Sequence, residues 1–163
     1  IAAATRIALS NTDSNTGSNT GSNTDSNADF TFAVVRNPYD RAVSSWMYTA
    51  SRKCSFPEFV ELLSERGLRS AEWTWHERVH ICEQASHLLD GKGGVGVDYI
   101  ARMSHLEEDM AEVCKVLGLP RCELPVENSQ ERGEYRSYYT SERLKELVRE
   151  VYARDFAITG ALF

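Results

Sequence analysis

The chain has 163 residues, 42% of them hydrophobic, with 24 acidic side chains against 18 basic ones and a net charge of −6. That length supports one domain with a real core. The acidic balance gives no footprint for a polyanion and excludes general nucleic-acid binding, and no run is long and apolar enough for a membrane helix.

Ile1 to Leu9 is too short for a signal peptide and lacks its layout. The chain starts at Ile rather than Met, so a fragment of a longer protein is the expectation. Ser10 to Asp29 is a repeat, S-N-T-D, S-N-T-G, S-N-T-G, S-N-T-D, S-N-A-D, with no large apolar residue and no N-x-S/T sequon. Such a segment cannot bury enough surface to offset the ordering of its backbone. Residues 1–29 are therefore expected to be a disordered segment, a spacer at most, before a domain at 30–163. From Phe30 onward the charge is 21 acids against 17 bases, or −4. An anionic acceptor would need a local basic patch.

Phe30 to Val35 is apolar and β-branched apart from Thr31, which reads as a strand buried on both faces, as in a parallel sheet. Asn37-Pro38 ends it and starts a helix: Asn is a good N-cap, Pro suits the first helical position, and Asp40 is acidic in the first turn. Tyr39, Ala42, Val43, Trp46 and Met47 then follow helical spacing. Arg36 stands at the carboxyl end of the strand and Ser44 in the second turn of the helix. Ligands of open α/β sheets bind at that edge, and a helix start offers N–H groups to an anion. An arginine fork with a serine hydroxyl is suited to a phosphate. The plain alternative is an ordinary strand–helix junction whose arginine pairs with a nearby carboxylate.

The stretch V-R-N-P-Y-D-R-A-V-S-S-W resembles the 3′-phosphate-binding segment of sulfotransferases, specifically the Golgi carbohydrate sulfotransferases of the chondroitin/dermatan 4-O type and their relatives. The resemblance implies that Arg36 and Ser44 hold the 3′-phosphate of 3′-phosphoadenosine 5′-phosphosulfate. That family also carries an upstream P-K-x-x-x-S/T-like turn, whose lysine stabilises charge on the transferring sulfuryl group. No lysine precedes Phe30 here. The first βα unit is then expected to lie outside this chain or to be lost, leaving half of the cofactor site absent.

Ser55 with Glu58 has capping-box spacing for a second helix, with Phe59, Val60, Leu62 and Leu63 as its buried stripe and Gly67 as its stop. Ala71 to Leu89 is rich in aromatic and imidazole side chains. On one continuous helix, His76, His80, Gln84 and His87 would share a face. A His-x3-His pair can suggest zinc, but no carboxylate or Cys is placed to complete a site. H-I-C-E-Q resembles the family's H-x-x-x-Q segment near the acceptor site, which carries over to His80 and Gln84, with Ile81 and Glu83 departing from the usual aromatic and proline. A histidine there would take the proton of an acceptor hydroxyl, so His80 is the candidate base. The alternative is a surface histidine without a role.

Asp90 to Gly96 (D-G-K-G-G-V-G) fits neither phosphate-loop spacing and reads as a hairpin-like turn. Val97 to Met103 is a second strand, and Ser104 with Glu107 has capping-box register for the helix of Leu106, Met110, Val113, Cys114 and Leu117. D-Y-I-A-R-M-S-H-L-E-E-D-M resembles a family block in which Leu106 and Asp109 match and Ser104 replaces a glutamate. Leu124 to Tyr139 resembles the family's L-P-x-x-N-x-S loop beside the nucleotide, with Asn128 and Ser129 as near matches and Arg132 or Arg136 as possible phosphate contacts. Thr140 is read as the cap of the last helix, with Leu144, Leu147, Val148, Val151, Tyr152 and Phe156 on one face. Cys54, Cys82, Cys114 and Cys122 have no zinc spacing. A lumenal setting would permit a Cys114–Cys122 disulfide, and buried free thiols are the alternative.

The resemblance runs from Phe30 to Ala161. It implies an α/β, P-loop-NTPase-like sulfotransferase fold, a parallel sheet flanked by helices with its N-terminal unit missing. The implied reaction moves a sulfuryl group from 3′-phosphoadenosine 5′-phosphosulfate to a carbohydrate or glycan hydroxyl, with no metal. The implied location is the Golgi lumen, membrane-anchored in the full-length protein. The alternatives are a catalytically incomplete nucleotide-binding remnant and a nucleotide-dependent phosphotransferase; the missing Walker lysine and metal-binding acid argue against the latter.

Overall fold

A computed structural model describes residues 4–7, 30–120, 124 and 133–163. The repeat, Asn128, Ser129, Arg132 and Cys122 lie outside the described residues. The expected disorder therefore has no structural counterpart to compare, except that Ala4–Ile7 forms a strand, β1.

Phe30–Val35 forms β2. It is central in a three-stranded sheet of order β1-β2-β3, where β3 is Tyr99–Arg102. The β2–β3 pair is parallel, from Phe32↔Tyr99 to Val35↔Arg102. The β1–β2 pair is antiparallel, from Ala4↔Ala33 to Ile7↔Phe30. The parallel pair matches the expected parallel sheet, and β1 adds an antiparallel edge strand to it. The β2 composition reflects its central place, with Phe32 buried on one face and Ala33 and Val35 on the other. The latter two meet Leu88, Val97, Ile100 and Ile158 in a small cluster.

The connection from β2 to β3 carries four helices: α1 (Pro38–Thr49), α2 (Phe56–Arg66), α3 (Trp75–Ile81) and α4 (Ala85–Leu88). The Asn37 side chain accepts the Tyr39 N–H at 2.9 Å, so the cap at α1 is as expected. The Ser55–Glu58 capping box is complete, and Gly67 ends α2 at φ 71°, a left-handed conformation that favours glycine. Thr74 and Glu77 make a second box at α3. The helix expected through Gln84 stops at Ile81, because Cys82 takes an extended conformation (ψ 152°). The glycine-rich stretch closes as a hairpin-like turn: Leu89 bridges Val95, and the Asp90 carboxylate accepts the N–H groups of Lys92 and Gly94 at 2.8 Å each.

After β3 a short 3-10 turn, Met103–His105, leads into α5 (Leu106–Val116). The Ser104–Glu107 box does not form, since the chain is already turning at Ser104 and His105 holds the N-cap position. Asp109 reaches back instead. It accepts the Arg102 main-chain N–H, and its two oxygens take Nε at 3.0 Å and a terminal nitrogen at 2.8 Å. This bidentate pair bolts α5 to the end of β3.

The C-terminal helix is two helices, α6 (Glu142–Val151) and α7 (Ala153–Thr159), broken at Tyr152. Its cap is Ser141, not Thr140, because the Ser141 hydroxyl receives the Leu144 N–H. The expected apolar face is buried at Leu144, Leu147, Val148 and Tyr152, with Val151 and Phe156 half-buried. It packs with Phe56, Phe59, Val60 and Leu63 of α2 and Ala42 and Val43 of α1 in the main core.

Phe59 is 1% exposed. Phe59→Ala should cost about 3–5 kcal/mol, read as an earlier midpoint in denaturant; a loss below about 1 kcal/mol would contradict this packing. The Arg102 hydrogen bonds hold the Asp109 carboxyl below the usual carboxylate range. A lowered folded pKa contributes stability above the unfolded value of about 3.9 that disappears as pH falls through the folded value. Asp109→Asn should therefore lower the melting temperature by about 3 °C or more at pH 7. The gap to wild type should close below about pH 4, and an unchanged gap there would contradict the linkage.

Candidate functional site

The site is built where β2 ends and α1 begins. Arg36 is the first residue beyond β2, and its Nε lies 3.3 Å from Asp40 Oδ2. Both side chains keep partial access to solvent, at 29% and 19%. The plain alternative drawn from the sequence, an arginine paired with a nearby carboxylate, is therefore present. It does not remove the arginine from the site, because the ion pair lays the guanidinium along the first turn of α1.

Asp40, Ser44 and Tyr48 recur at four-residue spacing on one face of α1. Ser44 is half-buried, and its hydroxyl makes no hydrogen bond among the described residues. Tyr48 is 55% exposed and carries an imidazole pair. Its ring centroid is 4.4 Å from that of His80 and 5.4 Å from that of His76, and the two imidazoles are 4.8 Å apart. His80 is thus stacked on the α1 side chain that lies one helical turn beyond Ser44. Burial lowers the His80 pKa, and the nearby His76 and Arg41 add to the effect.

The His80 main chain is fixed from α1. Its carbonyl accepts the Ser45 hydroxyl at 2.8 Å and an Arg41 guanidinium nitrogen at 3.2 Å. Arg41 is 6% exposed, with its guanidinium 5.7 Å from the Tyr152 ring centroid. The Tyr152 hydroxyl donates to the Ile81 carbonyl at 3.1 Å, and burial pushes its pKa up to about 12. Two side chains of α1 and that of Tyr152, at the break between α6 and α7, therefore hold the end of α3.

Gln84 departs from the sequence reading. With α3 ended at Ile81, it does not share a helix face with His76 and His80. It is 1% exposed and cannot touch an acceptor. Its amide oxygen accepts the Arg36 N–H and its amide nitrogen donates to the Arg36 carbonyl, both at 2.9 Å. Asp155, fully buried, accepts the N–H groups of Gln84 at 3.0 Å and Ala85 at 2.8 Å. Burial raises the Asp155 pKa. Sequence reasoning missed Asp155; an acid in an otherwise apolar helical stripe, Y-A-R-D-F, was the available signal.

Arg136 does not join Arg36 here. It is exposed, 3.4 Å from Glu134, with its guanidinium over the Tyr135 ring. His87 is exposed and 3.8 Å from the Cys82 sulfur. Among the described residues no group of three or more His, Cys, Asp or Glu side chains converges to hold a metal. Cys54 and Cys82 are free thiols. Among the described residues no helix is long and apolar enough to cross a membrane.

The arrangement joins an arginine at the sheet edge, an open hydroxyl and an imidazole along one helix face. No curated protein and no solved structure matches the chain significantly. A family model does, that of the sulfotransferase family, and it spans residues 4–158, from β1 into α7. The chain belongs to the sulfotransferase family, transferases that move a sulfuryl group to an acceptor.

Proposed function

We propose that the chain binds 3′-phosphoadenosine 5′-phosphosulfate and directs its sulfuryl group to a carbohydrate hydroxyl. The supporting observation is the single stripe of Arg36, Asp40, Ser44 and Tyr48, with His80 stacked on its far end. Arg36 and Ser44 hold the 3′-phosphate. The residues present fit that anion: a guanidinium at a sheet edge and a hydroxyl with no hydrogen bond among the described residues, both beside the start of a 12-residue helix. Asp40 orients the guanidinium between binding events. The co-substrate supplies an activated sulfuryl group and a nucleotide leaving group.

His80 accepts the proton of the acceptor hydroxyl as that oxygen forms its bond to sulfur. Burial under Tyr48 and His76 favours the neutral imidazole that a base requires. Tyr48, exposed beside it, offers a ring face to a sugar. The fold reading that accompanies this is the P-loop-NTPase-like sulfotransferase architecture, with a Golgi-lumenal, membrane-anchored full-length protein. The second reading is a catalytically incomplete remnant of this fold that binds the nucleotide without transferring its group.

Calorimetric titration with adenosine 3′,5′-bisphosphate separates the two. Wild type should bind, Arg36→Ala should weaken binding by about tenfold or more, and Ser44→Ala by about fivefold. Absence of binding by wild type would eliminate the clamp; binding without transfer to any glycan would select the remnant. In turnover assays, kcat/KM should fall on the acid side with a midpoint below the ordinary histidine value of about 6.5. His80→Ala should abolish that limb and lower kcat by about a hundredfold or more. A limb that persists in the variant would remove His80 from the role.

A further inference from the structure

We infer that Gln84 and Asp155 are positioning residues for recognition of the 3′-phosphate: Asp155 fixes the start of α4, and the Gln84 amide fixes the main chain of Arg36. The inference rests on the proposed clamp and adds what aims it. Arg36 is the first residue past both strand registers, which end at Ala33 toward β1 and at Val35 toward β3. It stands where the chain turns from strand to helix. The Gln84 side chain partners both its N–H and its C=O, with one acceptor and one donor at 2.9 Å, in the way a neighbouring strand would.

Gln84 can do this only if its own backbone is held. Residues 81–85 are tied to the C-terminal segment three times: Tyr152 to the Ile81 carbonyl, Arg154 to Glu83 at 3.0 Å, and Asp155 to the Gln84 and Ala85 N–H groups. Asp155 is itself covered, with Thr159 donating to its carbonyl at 2.8 Å. The path from Asp155 through Gln84 to Arg36 is therefore continuous and buried until the guanidinium. A forked donor rewards fixed geometry, and small displacements of a charged contact are costly. Loosening the Arg36 main chain should weaken the 3′-phosphate contact selectively, leaving the rest of nucleotide binding in place.

The test compares adenosine 3′,5′-bisphosphate with adenosine 5′-monophosphate, which lacks the 3′-phosphate, on the full chain by calorimetry. Wild type should prefer the bisphosphate by about tenfold or more. Gln84→Met, nearly isosteric, and Asp155→Asn should each reduce that preference to about threefold or less, with the monophosphate affinity changed less than about twofold. Variants that keep the wild-type ratio, or that weaken both nucleotides alike, would overturn the inference and leave the clamp standing. A wild type without preference, matched by an inert Arg36→Ala, would refute the clamp and the inference with it. Should both variants fail to fold, hydrogen exchange on wild type decides: the Arg36 amide should exchange slowly, and more slowly with the bisphosphate than with the monophosphate. An Arg36 amide indifferent to the bisphosphate would overturn the inference.

Discussion

The paired hydrogen bonds between the Gln84 side chain and the Arg36 main chain are the constraint from which the rest of the site follows. They bridge the junction where the sheet ends at Val35 and α1 begins at Pro38. An unpaired buried N–H or C=O costs about as much as several ordinary hydrogen bonds contribute. A long amide reaching in from the α3–α4 junction removes that cost on both groups at once. It also makes the strand–helix turn, the segment 81–85 and the C-terminal helices one unit, so that the geometry at Arg36 depends on residues more than a hundred positions away.

A second set of polar groups surrounds this unit. Arg41, Ser45, Gln84, Asp155 and Thr159 are all buried, between the sheet edge and the helices. Such groups are unfavourable in a core unless partnered. Here most partners are main-chain atoms at element ends: the His80 carbonyl, the Arg36 amide and carbonyl, and the Gln84 and Ala85 N–H groups. The polar residues thus take over where secondary structure ends, and those ends surround the candidate site. Buried networks of this kind define a single arrangement of the chain more sharply than apolar contacts alone.

The stripe on α1 divides the labour along its length. Near the N-terminus, Arg36 and Asp40 form a charged pair at the first turn of the helix. At the far end, Tyr48 and the two imidazoles form an exposed ring cluster. One helix therefore presents a charged end and a ring-bearing end, with Ser44 between them. Sulfuryl transfer demands positioning and charge stabilisation more than covalent participation, and a rigid helix serves that demand.

The sequence by itself determined the local units. The apolar, β-branched run to Val35 and the Asn-Pro junction specify β2 and α1, because cap chemistry and periodicity act over a few residues. The same holds for the Ser55 box, the Gly67 stop and the Asp90 turn. The family, too, was legible in V-R-N-P-Y-D-R-A-V-S-S-W. Where the reading failed, a partner distant in sequence had decided. Ile81 ends α3 because Tyr152, Arg41 and Ser45 take its last carbonyls, which turned Gln84 from a supposed acceptor contact into the brace of Arg36. β1 pairs antiparallel in a sheet expected to be parallel. Side-chain to main-chain bonds across 35 to 71 positions leave no local periodicity to read, and only the packed chain brings Asp155, Gln84 and Arg36 into line.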